Sequence, residues 1–382
     1  MSDSQALYPL LFSPIMIGGK RLANRLTMAP LYTGYAREGG HVSPLLLEHY
    51  KTMGASGLSM VVVETCAVDP SGVGSFRMLR AYEDSFIEDL ARIAEVIHEG
   101  GALACCQINH VGRFAFVDEP VSASAVPVFG RTPRELTIAE IAHQVQAFAQ
   151  AAGRVQQAGF DMVELHGGTG YLLAQFVSPR TNKRNDAYGG LLEARMRFPL
   201  EVLKATRETV GPDFPIGYRF LAHEWLPDGF QAPEAELFAK VLESHGVAYL
   251  SIIAGTYESF FLPEVMELSA RQGYMVDLAA HIRNVVTVPV IVSGRIATPG
   301  LAETILNEKQ ADVIGLARVI WTDPEWISKT KNGKEADILH CQSGCDACLM
   351  QVMQGRSIVC AAWPPEKKGY VKNRAKGPSD QN

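Results

Sequence analysis

The sequence predicts an α/β fold, a closed (β/α)8 TIM barrel with a C-terminal cysteine-rich arm. Three observations point there. Eight short apolar, β-branched runs recur over about 300 residues. Amphipathic helical segments separate most of them. A doubly wound open sheet, the alternative, normally carries a glycine fingerprint after its first strand, and here that position reads Ala29-Pro30-Leu31-Tyr32.

The runs span residues 25–29, 58–65, 102–108, 162–165, 215–220, 247–253, 288–292 and 312–316. Between them, residues 84–100 place Ile87, Leu90, Ala94 and Ile97 on one helical face and stop at a glycine. Residues 137–159 open with Thr137 and Glu140, the spacing of a capping box, and line up Ile141, Val145, Phe148, Ala152 and Val155. Ser43-Pro44 and Thr298-Pro299 each join a cap residue to a proline at the first helical position. Two connections are long enough to act as lids: residues 110–136 after the third strand and 254–273 after the sixth. The second holds Tyr257, Phe260 and Phe261, with Tyr274 just beyond it. Past Lys329 the alternation stops. The chain therefore divides into a barrel (residues 1–330), a cysteine-rich arm (331–365) and a polar, lysine-rich tail (366–382) expected to be disordered at its end.

Of the 382 residues, 47% are hydrophobic and 20% charged, which describes a soluble globular protein with ample core. The net charge of −6 offers no basic face for nucleic acid or anionic lipid. The uncharged stretch 4–19 is broken by Pro9 and Pro14, lacks a basic leader and is too short to span a bilayer, so a cytoplasmic protein without signal peptide or membrane segment is expected. Oligomeric state is left open, a homo-oligomer included.

Polar residues gather where the predicted strands end. Val163-Glu164-Leu165-His166-Gly167-Gly168-Thr169-Gly170-Tyr171 runs from a buried strand into a glycine-rich turn, and His166 and Tyr171 can both pass protons. An ordinary loop histidine is the competing reading. The third strand ends in Gln107-Ile108-Asn109-His110-Val111-Gly112-Arg113, and the fifth carries Arg219. The seventh runs into Ser293-Gly294-Arg295, the eighth into Gly315-Leu316-Ala317-Arg318. Backbone N–H groups after strands seven and eight commonly bind phosphate, and an arginine at a strand end needs an anionic partner. A phosphorylated ligand held by Gly294, Arg295, Ala317 and Arg318 follows, with Gln107 and Arg219 aimed at its ring end. Structural ion pairs are the alternative.

Asn24-Arg25-Leu26-Thr27-Met28-Ala29-Pro30, the stretches 107–113 and 164–171, and Asn182-Lys183-Arg184-Asn185-Asp186-Ala187-Tyr188-Gly189-Gly190 resemble the old yellow enzyme family of flavin oxidoreductases, a likeness that covers about residues 11–326. The resemblance implies an FMN-binding barrel in which Ala29, Pro30, Thr65, Gln107 and Arg219 lie against the isoalloxazine, and Gly294, Arg295, Ala317 and Arg318 hold the phosphate. It implies His166 and the residue three positions on as donors to a substrate oxygen, and Tyr171 as proton donor to a substrate carbon. The family's second donor is usually histidine or asparagine, whereas this chain has Thr169. Tyr32 stands where the branch with covalently attached flavin has cysteine, so FMN is expected to be non-covalent. Tyr32, His110 and Tyr257 are expected to line the substrate pocket.

Three of seven cysteines, Cys66, Cys105 and Cys106, lie in apolar runs and read as small core residues. The other four, Cys341, Cys345, Cys348 and Cys360, form a C-x3-C-x2-C-x11-C array. Four thiolates so spaced suit a [4Fe–4S] cluster, with Gly344 relaxing the turn, and zinc is the alternative. The arm is similar to that of the family's iron–sulfur branch, which includes 2,4-dienoyl-CoA reductases and trimethylamine dehydrogenase. Those relatives continue into dinucleotide-binding domains. No second Rossmann-like pattern is read in this chain, so electrons are expected to be exchanged with a separate electron-transfer protein, or to come from NAD(P)H directly. The expected activity is ene reduction of a small unsaturated carbonyl or acyl substrate. Amine dehydrogenation is the second reading, and a flavin barrel acting on RNA is a third that the acidic balance disfavours.

Overall fold

A computed structural model describes residues 7–342 and 345–375. Eight parallel strands, Leu26–Met28, Met60–Ala67, Leu103–Asn109, Met162–Gly167, Ile216–His223, Tyr249–Ala254, Val290–Val292 and Val313–Leu316, follow one another around a ring. The first pairs with both the second and the eighth, which closes the (β/α)8 barrel. All eight predicted runs are present, with ends that move by up to three residues.

Side chains alternate along each strand, so every second residue enters the barrel. Low in the barrel these are apolar: Met60, Val62, Cys105, Met162, Tyr249, Ile291 and Val313 form one interior cluster. Two residues further up, the same faces turn polar, as Gln107, Glu164, Ser251 and Ser293. The other faces (Val61, Val63, Cys106, Val163, Leu165, Ile252) pack outward into the main core. Cys66, Cys105 and Cys106 are buried, as the sequence predicts.

The helix signals are built as read. Ser43 accepts from Leu46 N–H, Thr298 from Leu301 N–H, and Thr137 and Glu140 form the reciprocal capping box. Ile141, Val145, Phe148, Ala152 and Val155 are all buried. Three features differ from the sequence reading. A hairpin, Ile15–Ile17 with Lys20–Leu22, closes the amino end of the barrel, where Ile17 and Leu22 join the interior cluster. Its turn needs glycine: Gly18 has φ +54°, and a Cβ there would stand 2.7 Å from Pro215 Cβ. The 254–273 connection contains a helix, Pro263–Ala270. The beginning of the polar tail belongs to a further helix, Pro365–Ala375, tied to Glu48 by Tyr370 Oη at 2.6 Å and Arg374 at 3.6 Å.

The arm lies across the carboxyl end of the first and eighth strands. Ile358 N–H donates to Thr33 O at 2.9 Å, Tyr35 Oη to Ile358 O at 2.8 Å, and Trp363 Nε1 to Thr322 O at 2.9 Å. The 182–190 motif is a buckle for the first lid. Arg184 donates to Ala123 O and Leu136 O, at 2.9 and 2.7 Å, and binds Asp186. Among the described residues no helix is long and apolar enough to cross a membrane.

Buried Glu64, on the second strand, accepts from Thr33 N–H at 2.9 Å and Thr33 Oγ1 at 2.7 Å, while its other oxygen has no partner among the described residues. Burial pushes its carboxyl up to about 7 from 4.5, against the pull of the Thr33 hydrogen bonds. The folded chain thus holds this proton more tightly than the unfolded one. The resulting stability is complete below pH 4.5 and is lost as pH rises through 7. Its size is on the order of 3 kcal/mol. Glu64→Gln should flatten denaturant-measured stability between pH 5 and 8, and an unchanged slope would remove Glu64 as the cause.

Candidate active site at the carboxyl end of the barrel

The polar upper layer is held together by Glu164. Its two oxygens accept from Gln107 Nε2 at 2.8 Å and Tyr249 Oη at 3.0 Å. Arg219 is buried nearby and donates to Ser251 Oγ at 2.7 Å. Burial raises the Glu164 carboxyl and the Arg219 charge pulls it back down. Gln107 and Arg219, predicted for the ring end of a ligand, therefore share one buried polar cluster. Glu164 and Tyr249 were not predicted as its centre, although the inward parity two residues below His166 was a usable signal.

His166 is the penultimate residue of the fourth strand, opposite Arg219 in register. Gly168 N–H donates to His166 Nδ1 at 3.2 Å, so the ring proton sits on Nε2. Burial, followed by the Arg219 charge, holds the imidazole well below its usual value and keeps it neutral. The buried ring thus keeps an uncharged Nε2–H donor. Tyr171 stands edge-on to this ring with centroids 4.8 Å apart. Tyr171 Oη and Tyr257 Oη are 2.9 Å apart, and burial pushes both phenols up.

A cavity of about 800 Å³ opens over these phenols. Tyr32, Thr65, Tyr171 and Tyr257 line it, with Phe114, Phe76 and arm residues from Gln351 to Val359 that sequence reasoning missed. Thr65 reaches it because the second strand carries one extra residue between Val63 and Cys66. Tyr32 Oη bonds Ser75 Oγ at 2.7 Å, and burial raises its phenol to about 12. His110 does not line the cavity, and neither do His166, Thr169, Gln107 or Arg219, which lie buried outside its wall. The His110 ring bonds Ser71 Oγ at 3.0 Å, accepts from Gly112 N–H at 3.0 Å, and is pressed down to about 4 by burial.

Thr169 has φ +59°, a left-handed conformation that crowds a β-branched side chain. Asparagine tolerates that region far better. Thr169→Asn should stabilise the chain by about 1 kcal/mol and add an amide donor beside His166. Thermal denaturation reads the first effect. A variant less stable than the parent would show that the hydroxyl contributes more than the strain removes.

Ala29 and Pro30 follow the first strand, and Ala29 N–H donates to Leu316 O on the eighth. Gly294 and Arg295 turn the chain after the seventh strand with φ +118° and +54°, and Ala317 and Arg318 follow the eighth. The two arginines reach the arm: Arg295 Nη1 donates to Gln342 O and Arg318 Nη1 to Cys345 O, both at 3.2 Å. The residues suit a flavin mononucleotide. Thr65 Oγ1 and Ser293 Oγ, at the ends of the second and seventh strands, are buried without partners among the described residues, so polar ligand atoms would satisfy them.

Cys341, Cys345 and Cys348 are half-buried and Cys360 is buried, its Sγ 3.5 Å from Thr322 Oγ1. Burial pushes the Cys348 thiol up to about 12, against the nearby Arg318 charge. Among the described residues no three ligating side chains stand at single-ion spacing, and Ser343 and Gly344 lie outside those residues.

Fold and site together define a flavin-dependent oxidoreductase barrel. Residues 10–337 match the NADH:flavin oxidoreductase / NADH oxidase family, and the chain belongs to it as an FMN-dependent oxidoreductase. It is 41% identical over 367 residues to an NADH oxidase of Thermoanaerobacter brockii, a match that covers 94% of this chain and 56% of that one. Its fold superimposes on a 2-naphthoyl-CoA reductase in complex with 2-naphthoyl-CoA at TM-score 0.90 and 29% identity, over 96% of this chain and 58% of the other. A histamine dehydrogenase from Rhizobium sp. 4-9 matches at TM-score 0.83 and 28% identity, over 94% and 53%. The chain thus spans little more than half the length of these relatives.

Proposed function

We propose that this chain is an ene reductase acting on an activated C=C bond of an unsaturated carbonyl or acyl substrate. The observation that carries the reading is the buried, neutral His166 ring packed edge-on, centroids 4.8 Å apart, against Tyr171, whose own side chain lines the aromatic-walled cavity. When bound, FMN supplies hydride from its reduced ring. Ala29, Pro30, Thr65, Gln107 and Arg219 would hold the ring, and Gly294, Arg295, Ala317 and Arg318 the phosphate. Arg219 supplies positive charge where a reduced ring is negative. His166, with Thr169 beside it, donates to the substrate oxygen and draws charge out of the C=C bond. Tyr171 gives its proton to the α-carbon, and Tyr32 and Tyr257 shape the pocket. Likeness to a 2-naphthoyl-CoA reductase supports the reading. The test mixes anaerobically reduced holoenzyme with an activated alkene: flavin absorbance returns, and its failure to return ends the proposal.

A second reading rests on the same aromatic wall. Tyr32, Phe114, Tyr171 and Tyr257 can surround a cation, and a histamine dehydrogenase shares the fold. Flavin bleaching by an amine without added reductant would select it.

To the arm we assign a [4Fe–4S] cluster on Cys341, Cys345, Cys348 and Cys360, with zinc as the alternative. A cluster would supply one-electron transfer to a partner protein, NAD(P)H being the other source of reducing power. The C-x3-C-x2-C-x11-C spacing supports it. Iron and sulfide analysis of anaerobically purified protein, with a shoulder at roughly 400 nm, tests it. A cytoplasmic location completes the reading.

A further inference from the structure

Tyr257 belongs to the connection after the sixth strand, and that connection is anchored. Its neighbour Glu258 binds two guanidinium groups: Arg113 Nη2 from the first lid and Arg180 Nη2 at 3.0 Å. Arg180 is itself paired with Asp228 at 2.6 Å, and the Arg113 side chain is only 1% exposed. The Tyr257 ring packs edge-on against Phe114, centroids 5.1 Å apart, and against Phe260 at 6.1 Å. These contacts set its hydroxyl 2.9 Å from that of Tyr171. Tyr32 Oη, the third phenol at this end of the cavity, is engaged by Ser75, and His166 Nδ1 by Gly168. Neither of those contacts steadies the Tyr171 oxygen.

We propose that Tyr257 is a second proton-handling residue: its hydroxyl donates to the Tyr171 oxygen and restores the proton that Tyr171 gives to the substrate carbon, while Glu258, clamped by Arg113 and Arg180, positions it. The inference rests on the ene-reductase reading. A buried phenol is a poor acid because the phenolate left behind is desolvated. A donor aimed at that oxygen offsets the cost where the charge develops. The balance is complete. With FMN bound, its reduced ring would supply the electron pair and one hydrogen to the β-carbon as hydride, and the Tyr171 Oη proton goes to the α-carbon. The Tyr257 proton then moves to Tyr171, and Tyr257 takes one from cavity water, the hydroxide passing to bulk buffer. Because Tyr257 lines the cavity, water can reach it.

The test uses photoreduced holoenzyme mixed anaerobically with 2-cyclohexen-1-one, in H₂O and in D₂O. Tyr257→Phe should slow flavin reoxidation about 10- to 100-fold, leave the half-saturating enone concentration within about twofold, and enlarge the solvent isotope effect. Glu258→Gln, which touches neither phenol, should slow it in the same direction, and the double variant should be no slower than Tyr257→Phe alone. Reoxidation of Tyr257→Phe at the parent rate with an unchanged isotope effect overturns the relay, and multiplicative slowing in the double variant overturns the clamp. If the parent enzyme itself is not reoxidised by the enone, the ene-reductase reading fails first. That result is distinct from a parent that works and a variant that works equally well.

Discussion

Tyr171→Phe is expected to slow reoxidation of the reduced enzyme by an activated alkene roughly 10²- to 10⁴-fold, the range for losing a positioned general acid. The variant keeps the ring that stands 4.8 Å from His166 and packs at 6.3 Å on Phe114, so the cavity wall stays in place. What it loses is the phenolic proton of Tyr171, together with the 2.9 Å contact to Tyr257. Flavin content and enone affinity should therefore stay near those of the parent while the chemical step falls. Stopped-flow absorbance at the flavin band reads both. A Tyr171→Phe enzyme that reoxidises within threefold of the parent would assign the α-carbon proton to solvent.

Glu164→Ala is expected to cost about 3–5 kcal/mol of stability, the cost of stripping one charge from a buried, paired group. Glu164 is fully buried, and its removal leaves Gln107 Nε2 without its acceptor, Tyr249 Oη with only the weak Cys105 Sγ contact at 3.5 Å, and the buried Arg219 charge without its nearby carboxylate. Each orphaned group carries its own desolvation penalty. Glu164→Gln keeps the shape and a carbonyl acceptor but loses the charge, so it should fold and bind FMN more weakly, because Gln107 and Arg219 lose their orientation. Urea denaturation of the alanine variant and FMN titration of the glutamine variant check the two halves. A loss below about 1 kcal/mol for Glu164→Ala would place the organising contacts of the upper layer elsewhere.

Much of this was legible before any coordinate. Strand positions follow from short apolar runs, and the capping box at Thr137 and Glu140 follows from spacing, because both are local patterns that the backbone must satisfy wherever it lies. The Ile15–Leu22 hairpin was missed because three-residue strands are too short to show a period. The Pro365–Ala375 helix was missed because its charged composition resembles a solvated tail and its support, Glu48, is over three hundred residues away in sequence. His110 was placed in the pocket because it follows a strand end, but the loop carrying Ser71 and Gly72 turns its ring aside.

By itself the sequence determined the barrel, the order of its strands, the buried cysteines of its core and the polar residues brought to its carboxyl rim. Tertiary structure alone decided that Glu164 gathers Gln107 and Tyr249 and that the His166 proton sits on Nε2. It alone decided, too, that Arg295 and Arg318 reach the cysteine arm and that Tyr257 meets Tyr171. The division has a physical cause. Periodicity and capping are settled within a few residues by backbone hydrogen bonding and burial. The partner of a buried polar group is settled by which distant segments the closed barrel presses together.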